Sequence, residues 1–416
     1  MQDLLKRNIE NRVMEAFEDT PVILIQGARQ VGKSTLIKMI TDKTNCTKVT
    51  LDNEEVLIAA ERDPIGFVSQ NKRGTLVIDE LQRCPQLLRS IKYAVDEDRR
   101  PGMFLLTGSA NVLHISGANE SLAGRIETIS LNPFSMGEIK KSKEDLIEKI
   151  TKGKVLDYAI KNPLTREQYI SLICSGGYPE AYERNEHRRK TFFKNYLSNV
   201  LDHDAAEMSG LAHLDKLEMI YSLLSARTSG EIVKSEIANL TEIPATSIHG
   251  YLRLLNDLYL INELPPWGRN LTSRVVKSKK ISVNDTAIAC YLNKDSEESL
   301  IDITNGSKLG SLLESFVVNE LIKQQTWSEI DYSLFHYRDR DKREVDIIVE
   351  LPDGKIIAIE VKSAGSINRA DLKGINYMRE SFKENFYKGL VLYTGKETLS
   401  FGNDVFCAPI EILWNN

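Results

Sequence analysis

At 416 residues the chain exceeds one ordinary core, and length alone suggests about three domains. With 42% hydrophobic and 27% charged residues it has the balance of a globular protein, and a net charge of −5 excludes a global basic signature for nucleic acid. Five cysteines (Cys46, Cys84, Cys174, Cys290, Cys407) lack metal-ligand or C-x-x-C spacing, which argues against zinc and disulfides and for a reducing cytosol.

In chain order, residues 1–17 read as an amphipathic helix with charges throughout. It has no apolar stretch of the signal-peptide kind, and nothing in the chain approaches the length of a membrane span. A cytoplasmic protein without membrane contact is expected. Residues 22–35, VILIQGARQVGKST, then supply the strongest signal in the chain. An apolar strand runs into Gly27, four residues, and Gly32-Lys33-Ser34, with an amphipathic helix after it. Glycines let the backbone turn its N–H groups inward as an anion nest, and the new helix adds its positive dipole end. The loop Gly27, Ala28, Arg29, Gln30, Val31, Gly32, Lys33, Ser34, Thr35 is therefore expected to cradle nucleotide phosphates. Lys33 would reach the β- and γ-phosphates and Ser34 would hold Mg²⁺.

A second strand, Thr75 to Asp79, ends in Asp79-Glu80, the Walker-B pattern. Asp79 would hold Mg²⁺, and Glu80 would deprotonate the attacking water. The segment from Glu80 to Asp96 reads as one helix entered near Pro85. A third strand, from Met103, places Thr107 and Ser109 where a hydroxyl could lie beside the γ-phosphate. A strand-end hydroxyl that caps the next helix is the other reading, and both stay open. Arg125, before an alternating strand from Ile126 to Leu131, is either a solvated arginine or a group that stabilises phosphoryl charge, in its own subunit or a neighbour's.

QGARQVGKSTL, VIDELQRCPQLLRSIKYAVDE, LLTGSAN and SLAGRIE, in that order, resemble the prokaryotic AAA-type ATPases. They resemble most the archaeal-ATPase-like branch, whose members carry a C-terminal domain of unknown function. The later motifs of the resemblance are SGGYPEAY (175–182) and NYLSNVLDHD (195–204). His203-Asp204 stands where the family pattern more often has Arg-Asp, which puts any arginine role there in doubt.

Residues 138–165 are charged and read as a helical connector too polar for core, and Thr165–Met208 as a small helical lid. From Leu211 to Leu264 the cadence is helix–turn–helix, with Ser235–Leu240, a turn to Pro244, and Ala245–Leu260. The first exposed turns of that last helix carry Thr246, Ser247, His249 and Arg253, where such modules meet base edges. Between Glu263 and Asp285 no residue is acidic, while Arg269, Arg274, Lys277, Lys279 and Lys280 are basic. That strip suits phosphate contact, but lids and protein-docking modules share the fold.

In the last third, Arg343–Glu350 and Lys355–Lys362 read as a hairpin about the turn Pro352-Asp-Gly354. Its register sets Asp346 opposite Glu360 and puts Asp346, Glu360 and Lys362 on one face. Facing carboxylates repel unless a divalent cation lies between them. A preceding helix, Leu309–Gln325, carries Glu314 and Glu320. This order resembles the restriction-endonuclease-like PD-(D/E)xK nucleases, with Val345 before the first aspartate in place of proline. The resemblance implies that Asp346, Glu360 and Glu314 bind Mg²⁺ and that Lys362 acts at the attacking water. Basic groups in Tyr337–Arg343 could face a DNA backbone.

The expected architecture is α/β. An AAA-type P-loop ATPase domain (1–164) is followed by a helical lid (165–210), a winged-helix module (211–283) and a PD-(D/E)xK nuclease-like α/β domain (284–416). The expected cofactors are ATP and Mg²⁺, and the expected partner is DNA, branched DNA included. A homo-oligomer through the ATPase domain is a further expectation. The alternative is a nucleotide-dependent switch or assembly ATPase whose nuclease-like domain only docks a protein partner.

Overall fold

The computed structural model describes residues 4–415 apart from 43–44, 71–72, 112–121, 154–159, 161, 270–273, 275–277 and 403. The chain divides into two compact units. One comprises residues up to Phe134 with His203–Gly210 and Asp257–Tyr259; the other comprises Ser135–Asp202, Leu211–Asn256 and the chain from Leu260.

The first unit is built on five parallel strands, β1 (Val22–Gln26), β2 (Cys46–Thr50), β3 (Thr75–Asp79), β4 (Phe104–Gly108) and β5 (Ile126–Ser130), in the order β2-β3-β4-β1-β5. β1 and β4 are buried at every position, as unbroken apolar runs must be when helices cover both faces. The helices are α1 (Glu10–Asp19), α2 (Lys33–Thr41), α3 (Glu54–Arg62), α4 (Pro64–Val68) and α5 (Leu87–Glu97). Val22, Leu24, Ile78, Leu88, Ile91, Val95 and Leu106 share one core. At roughly 1.5–3 kcal/mol for each fully buried aliphatic side chain, that core anchors the strands that frame the glycine loop. β4 lies between β1 and β3, so three carboxyl ends converge beside the glycine loop.

The single helix expected over 80–96 is interrupted. Leu81–Arg83 form one 3₁₀ turn and α5 starts only at Leu87. Pro85 disfavours helical geometry at Cys84, whose φ and ψ are −140° and 67°.

In the second unit, Ser135 caps α6 (Met136–Lys140), followed by α7 (Leu146–Thr151), α8 (Arg166–Ser175) and α9 (Glu186–Ser198). By compactness, the division after the five-stranded sheet falls at Phe134. Residues 138–153 are not a solvated connector, because Leu146, Ile147 and Ile150 are buried along with Glu144, Asp145 and Lys149. Of the buried charges, Glu144 accepts hydrogen bonds from Ser135 Oγ and, at 2.9 Å, from Gly137 N, whereas Lys149 donates to the distant carbonyl of Asn415. Gly177 in the SGGYPEAY motif donates to Asp285 at 2.8 Å, and Tyr178 is buried against Tyr196.

Next come α10 (Leu217–Ala226), β6 (Gly230–Glu231), α11 (Lys234–Thr241), α12 (Ala245–Asp257), β7 (Ile261–Leu264) and β8 (Lys280–Val283). The three strands form an antiparallel sheet in the order β6-β8-β7. α13 (Thr286–Asn293) leads to the long α14 (Gly306–Gln325). A six-stranded sheet follows, containing β9 (Ser333–Arg338), β10 (Glu344–Glu350), β11 (Ile356–Lys362), β12 (Phe386–Tyr393), β13 (Leu399–Ser400) and β14 (Val405–Pro409). β9, β10 and β11 are an antiparallel meander, and α15 (Lys373–Ser381) carries the chain to β12, which is parallel to β11. Glu350 pairs with Ile356 and Ile347 with Ile359, the hairpin register expected.

Candidate functional site

The glycine loop closes between β1 and α2. Gly27 has φ +157°, and a Cβ there would lie 2.1 Å from the carbonyl oxygen of Leu131. Gly32, at φ +97°, caps α2, whose first-turn N–H groups no helix carbonyl can take. Arg7 braces the loop from behind, donating to Val31 O at 2.8 Å and to Asn132 O at 2.7 Å. Lys33 is buried and donates to the carbonyls of Gly27 (2.9 Å) and Ala28 (2.8 Å). Burial pulls its pKa down to about 8, against the opposing pull of Glu80 and Asp79.

Ser34 Oγ donates to Asp79 Oδ2 at 3.1 Å, so the loop and the Walker-B strand meet as expected. Two hard oxygens on one side leave the other positions of an octahedral Mg²⁺ for phosphate and water, so this donor pair fits the ion. Thr107 Oγ1 donates to the other oxygen of Asp79 and accepts from Glu80 N at 3.2 Å. Glu80 itself is left-handed, at φ 60°. Its carboxylate accepts from Gln82 Nε2, which also donates to Ser109 Oγ at 2.8 Å. Gln30 is exposed, and an open cavity of ≈ 400 Å³ borders Ser34 and Asp79 on the β2 side.

Arg125 is not part of this assembly. Val22 N donates to its carbonyl, placing it at the amino end of β1, about 13 Å along the strand from the loop. Its guanidinium pairs with Asp96 at 2.6 Å. Arg125 therefore does not reach the phosphate loop of its own subunit.

Three residues that motif reading passed over belong to the site. They are Arg7, Gln82 and Asp204, the last 2.5 Å from Arg29 of the loop. Burial raises the Asp204 pKa to about 6 despite the neighbouring arginine. The departure at His203-Asp204 drew attention to this position, but only the fold brings it to residue 29.

A second constellation lies in the C-terminal sheet. Asp346 Oδ2 accepts from Val361 N at 2.8 Å, which ties β10 to β11 at the point expected. Lys362 Nζ is 2.6 Å from Glu360 and 3.8 Å from Asp346. Glu314 is close enough to Asp346 for their charges to interact, and burial above all pushes its pKa up to about 8. Burial raises Glu360 as well, with Asp346 adding to it. The carboxylates expected as metal ligands contact lysines. Lys280 lies 2.8 Å from Glu314 and 2.7 Å from Glu344, and Lys362 occupies Glu360. Among the described residues, no three His, Cys, Asp or Glu side chains are arranged to hold a metal ion. Glu314 and Glu360 each sit directly against an ammonium group instead.

Three residues of the basic strip are likewise paired, while Arg269 donates to Ser381 O at 3.3 Å and lies over the Phe382 ring. Lys280 is buried, Lys279 pairs with Glu263 at 2.5 Å and Arg274 with Glu350 at 2.7 Å. Lys277 lies outside the described residues. In the segment before β10, Arg343 pairs with Asp339 and Asp341. Thr246, Ser247, His249 and Arg253 are exposed on α12.

A glycine loop after a buried strand, an Asp-Glu strand end and a hydroxyl-bearing strand between them define a nucleotide-binding P-loop domain of the AAA ATPase kind. Residues 19–140 match the AAA domain family. Residues 166–299 and 309–413 match two domains of unknown function, DUF8612 and DUF4143. The chain is 25% identical over 412 residues to an uncharacterised protein of Mycobacterium tuberculosis, covering 98% of this chain and 84% of that one. An uncharacterised Mycobacterium bovis protein matches to the same extent, at 25% identity. Among solved structures, the Walker-type ATPase PABY2304 of Pyrococcus abyssi aligns with TM-score 0.45 and 14% identity, over 70% of this chain and 97% of that one. RuvB of Thermotoga maritima aligns with TM-score 0.30 and 18% identity, over 63% and 90%. No helix among the described residues is long and apolar enough to cross a membrane.

Proposed function

We propose that the protein binds ATP with Mg²⁺ and hydrolyses it in the first unit. The observation that carries this reading is the hydrogen-bonded junction of Ser34, Asp79, Thr107 and Glu80 beside the glycine loop. The loop N–H groups and Lys33 bind the phosphates, with Lys33 exchanging the carbonyls of Gly27 and Ala28 for phosphate oxygens. Ser34 and Asp79 would hold Mg²⁺, which supplies charge neutralisation at the β- and γ-phosphates. Thr107 fixes the unused oxygen of Asp79, and Glu80 takes the proton of the attacking water. The test is turnover and nucleotide binding in Lys33→Ala and Glu80→Gln. Ordinary turnover by Glu80→Gln would remove the assignment of the base.

We further propose that turnover serves DNA. The α–β–α–α–β–β order of 217–283 supports a winged-helix module, with Thr246, Ser247, His249 and Arg253 on its exposed helix face. The α14–β9–β10–β11–α15–β12 order, with Asp346, Glu360 and Lys362 in contact, supports a nuclease-like domain. The paired lysines favour a second reading, in which that domain is a docking platform in a nucleotide-dependent switch. Measuring the ATPase rate with and without four-way DNA, with Lys33→Ala as control, separates the two. DNA stimulation supports the first, and indifference to DNA with a stable protein partner supports the second. If wild type and Asp346→Ala are equally inert on linear, nicked and four-way DNA, cleavage is excluded.

A further inference from the structure

Gln82 stands between the two groups that flank the reaction in the proposed ATPase. Its amide nitrogen donates to the Glu80 carboxylate and, at 2.8 Å, to Ser109 Oγ. Its amide oxygen accepts from Ser109 N at 3.2 Å. One side chain thereby spends both donor hydrogens and its acceptor on a bridge from the end of β3 to the end of β4. Beneath that bridge, Glu80 N donates to Thr107 Oγ1 at 3.2 Å, so β4 grips Glu80 by backbone and by side chain. The backbone of Glu80 is left-handed, φ 60° and ψ 46°, a conformation a non-glycine residue keeps only when its surroundings impose it. The 3₁₀ turn Leu81–Arg83 that follows is what brings residue 82 back over residue 80. A regular helix through this segment would carry Gln82 about 200° around its axis from Glu80, two residues on. The break before α5 is thus the feature that makes the bridge.

We infer that Gln82 is a positioning residue for hydrolysis: it sets the orientation of Glu80 and makes that orientation depend on Ser109, at the end of the strand beside the phosphate loop. The inference rests on the proposed role of Glu80 as base. A carboxylate held by one amide N–H keeps its second oxygen for a water proton, and the same amide reports whether Ser109 is engaged elsewhere. Gln82 touches no phosphate in this arrangement, so its effect falls on turnover and not on nucleotide affinity.

The experiment uses the full chain with saturating ATP and Mg²⁺, and a fluorescent ATP analogue for affinity. For Gln82→Ala the expected result is a kcat lower by about tenfold to a hundredfold, as for loss of orientation at a reacting group. Analogue affinity should stay within about twofold, which also shows that the protein is folded. Gln82→Ala and Ser109→Ala together should lose no more than the larger single loss, because they break one bridge. A loss in kcat without a loss in analogue affinity is the split that a purely structural role would not give. Unchanged kcat in Gln82→Ala, or additive losses in the pair, would each overturn the inference. If Glu80→Gln is inactive while Gln82→Ala is normal, only this inference fails. If Glu80→Gln turns over normally, the reading beneath it fails.

Discussion

Lysine meets carboxylate in both units, and the two outcomes are opposite. In the glycine loop Lys33 donates to backbone carbonyls, with Asp79 and Glu80 near but not in contact, and burial pulls it toward neutrality. In the C-terminal sheet Lys280 and Lys362 sit directly on Glu314, Glu344 and Glu360. Burial opposes the charge of Lys280, yet Glu314, Asp346 and Glu344 together raise its pKa. The first site keeps an underused cation for an incoming anion. The second has consumed its charges internally, so a divalent ion would have to compete with ammonium groups already in place. The same residue types thus make a receptive site in one unit and a self-neutralised one in the other.

The largest effects should come from the receptive site. Glu80→Gln should retain ATP binding and lose turnover by about 10²–10⁴-fold in a phosphate-release assay. Lys33→Ala should abolish binding of an ATP analogue. Next comes Lys280→Met, which leaves Glu314 and Glu344 without their counter-charge. Breaking such a buried pair costs about 3–5 kcal/mol, readable by urea unfolding. If the self-neutralised description is right, Mg²⁺ or Mn²⁺ should raise the Tm of that variant and not of wild type.

pH should separate the sites with opposite signs. Glu314 is raised from its ordinary 4.5 to about 8, so its folded form binds the proton more tightly. Its contribution to stability is present at low pH and is lost as pH rises from about 4.5 to 8. Lys33 is lowered from 10.5 to about 8, so stability at that position increases as pH rises through that interval. Comparing Tm–pH curves of wild type, Glu314→Gln and Lys33→Met isolates the two slopes, and slopes of one sign would break the contrast. A smaller effect is expected of Asp204→Asn. Asp204 is raised to about 6, so wild type should gain stability relative to the variant as pH falls from above 6 toward 3.8. Arg125→Ala should be smallest, within about 0.5 kcal/mol in stability and without effect on turnover in its own chain, as for partly exposed ion pairs.

Legibility followed the same divide. The glycine loop, Asp79-Glu80 and the Asp346–Glu360 register are local patterns, set by strand period and turn length, and each is found where the sequence places it. What escaped depends on partners distant in sequence. No acidic residue lies near Lys280, yet Glu314 and Glu344 come from another helix and strand to bury it. Arg125 follows a convincing motif but sits at the wrong end of a parallel sheet, a matter of strand direction that motif order does not encode. Charged 138–153 looked like surface because its burial rests on distant partners, the carbonyl of Asn415 for Lys149 and the side chain of Gln324 for the amide of Leu146.

Asp204 belongs to the same compact unit as the glycine loop, although some seventy residues of the other unit separate it from Phe134. A fragment ending at Phe134 would contain every motif of the nucleotide site and lack the carboxylate that holds Arg29. During synthesis the nucleotide unit likewise stays incomplete until residue 210 and beyond have emerged, since Asp257–Tyr259 also join it. The order in which the chain appears is then not the order in which its units can close: residues of the second unit emerge before the first is complete.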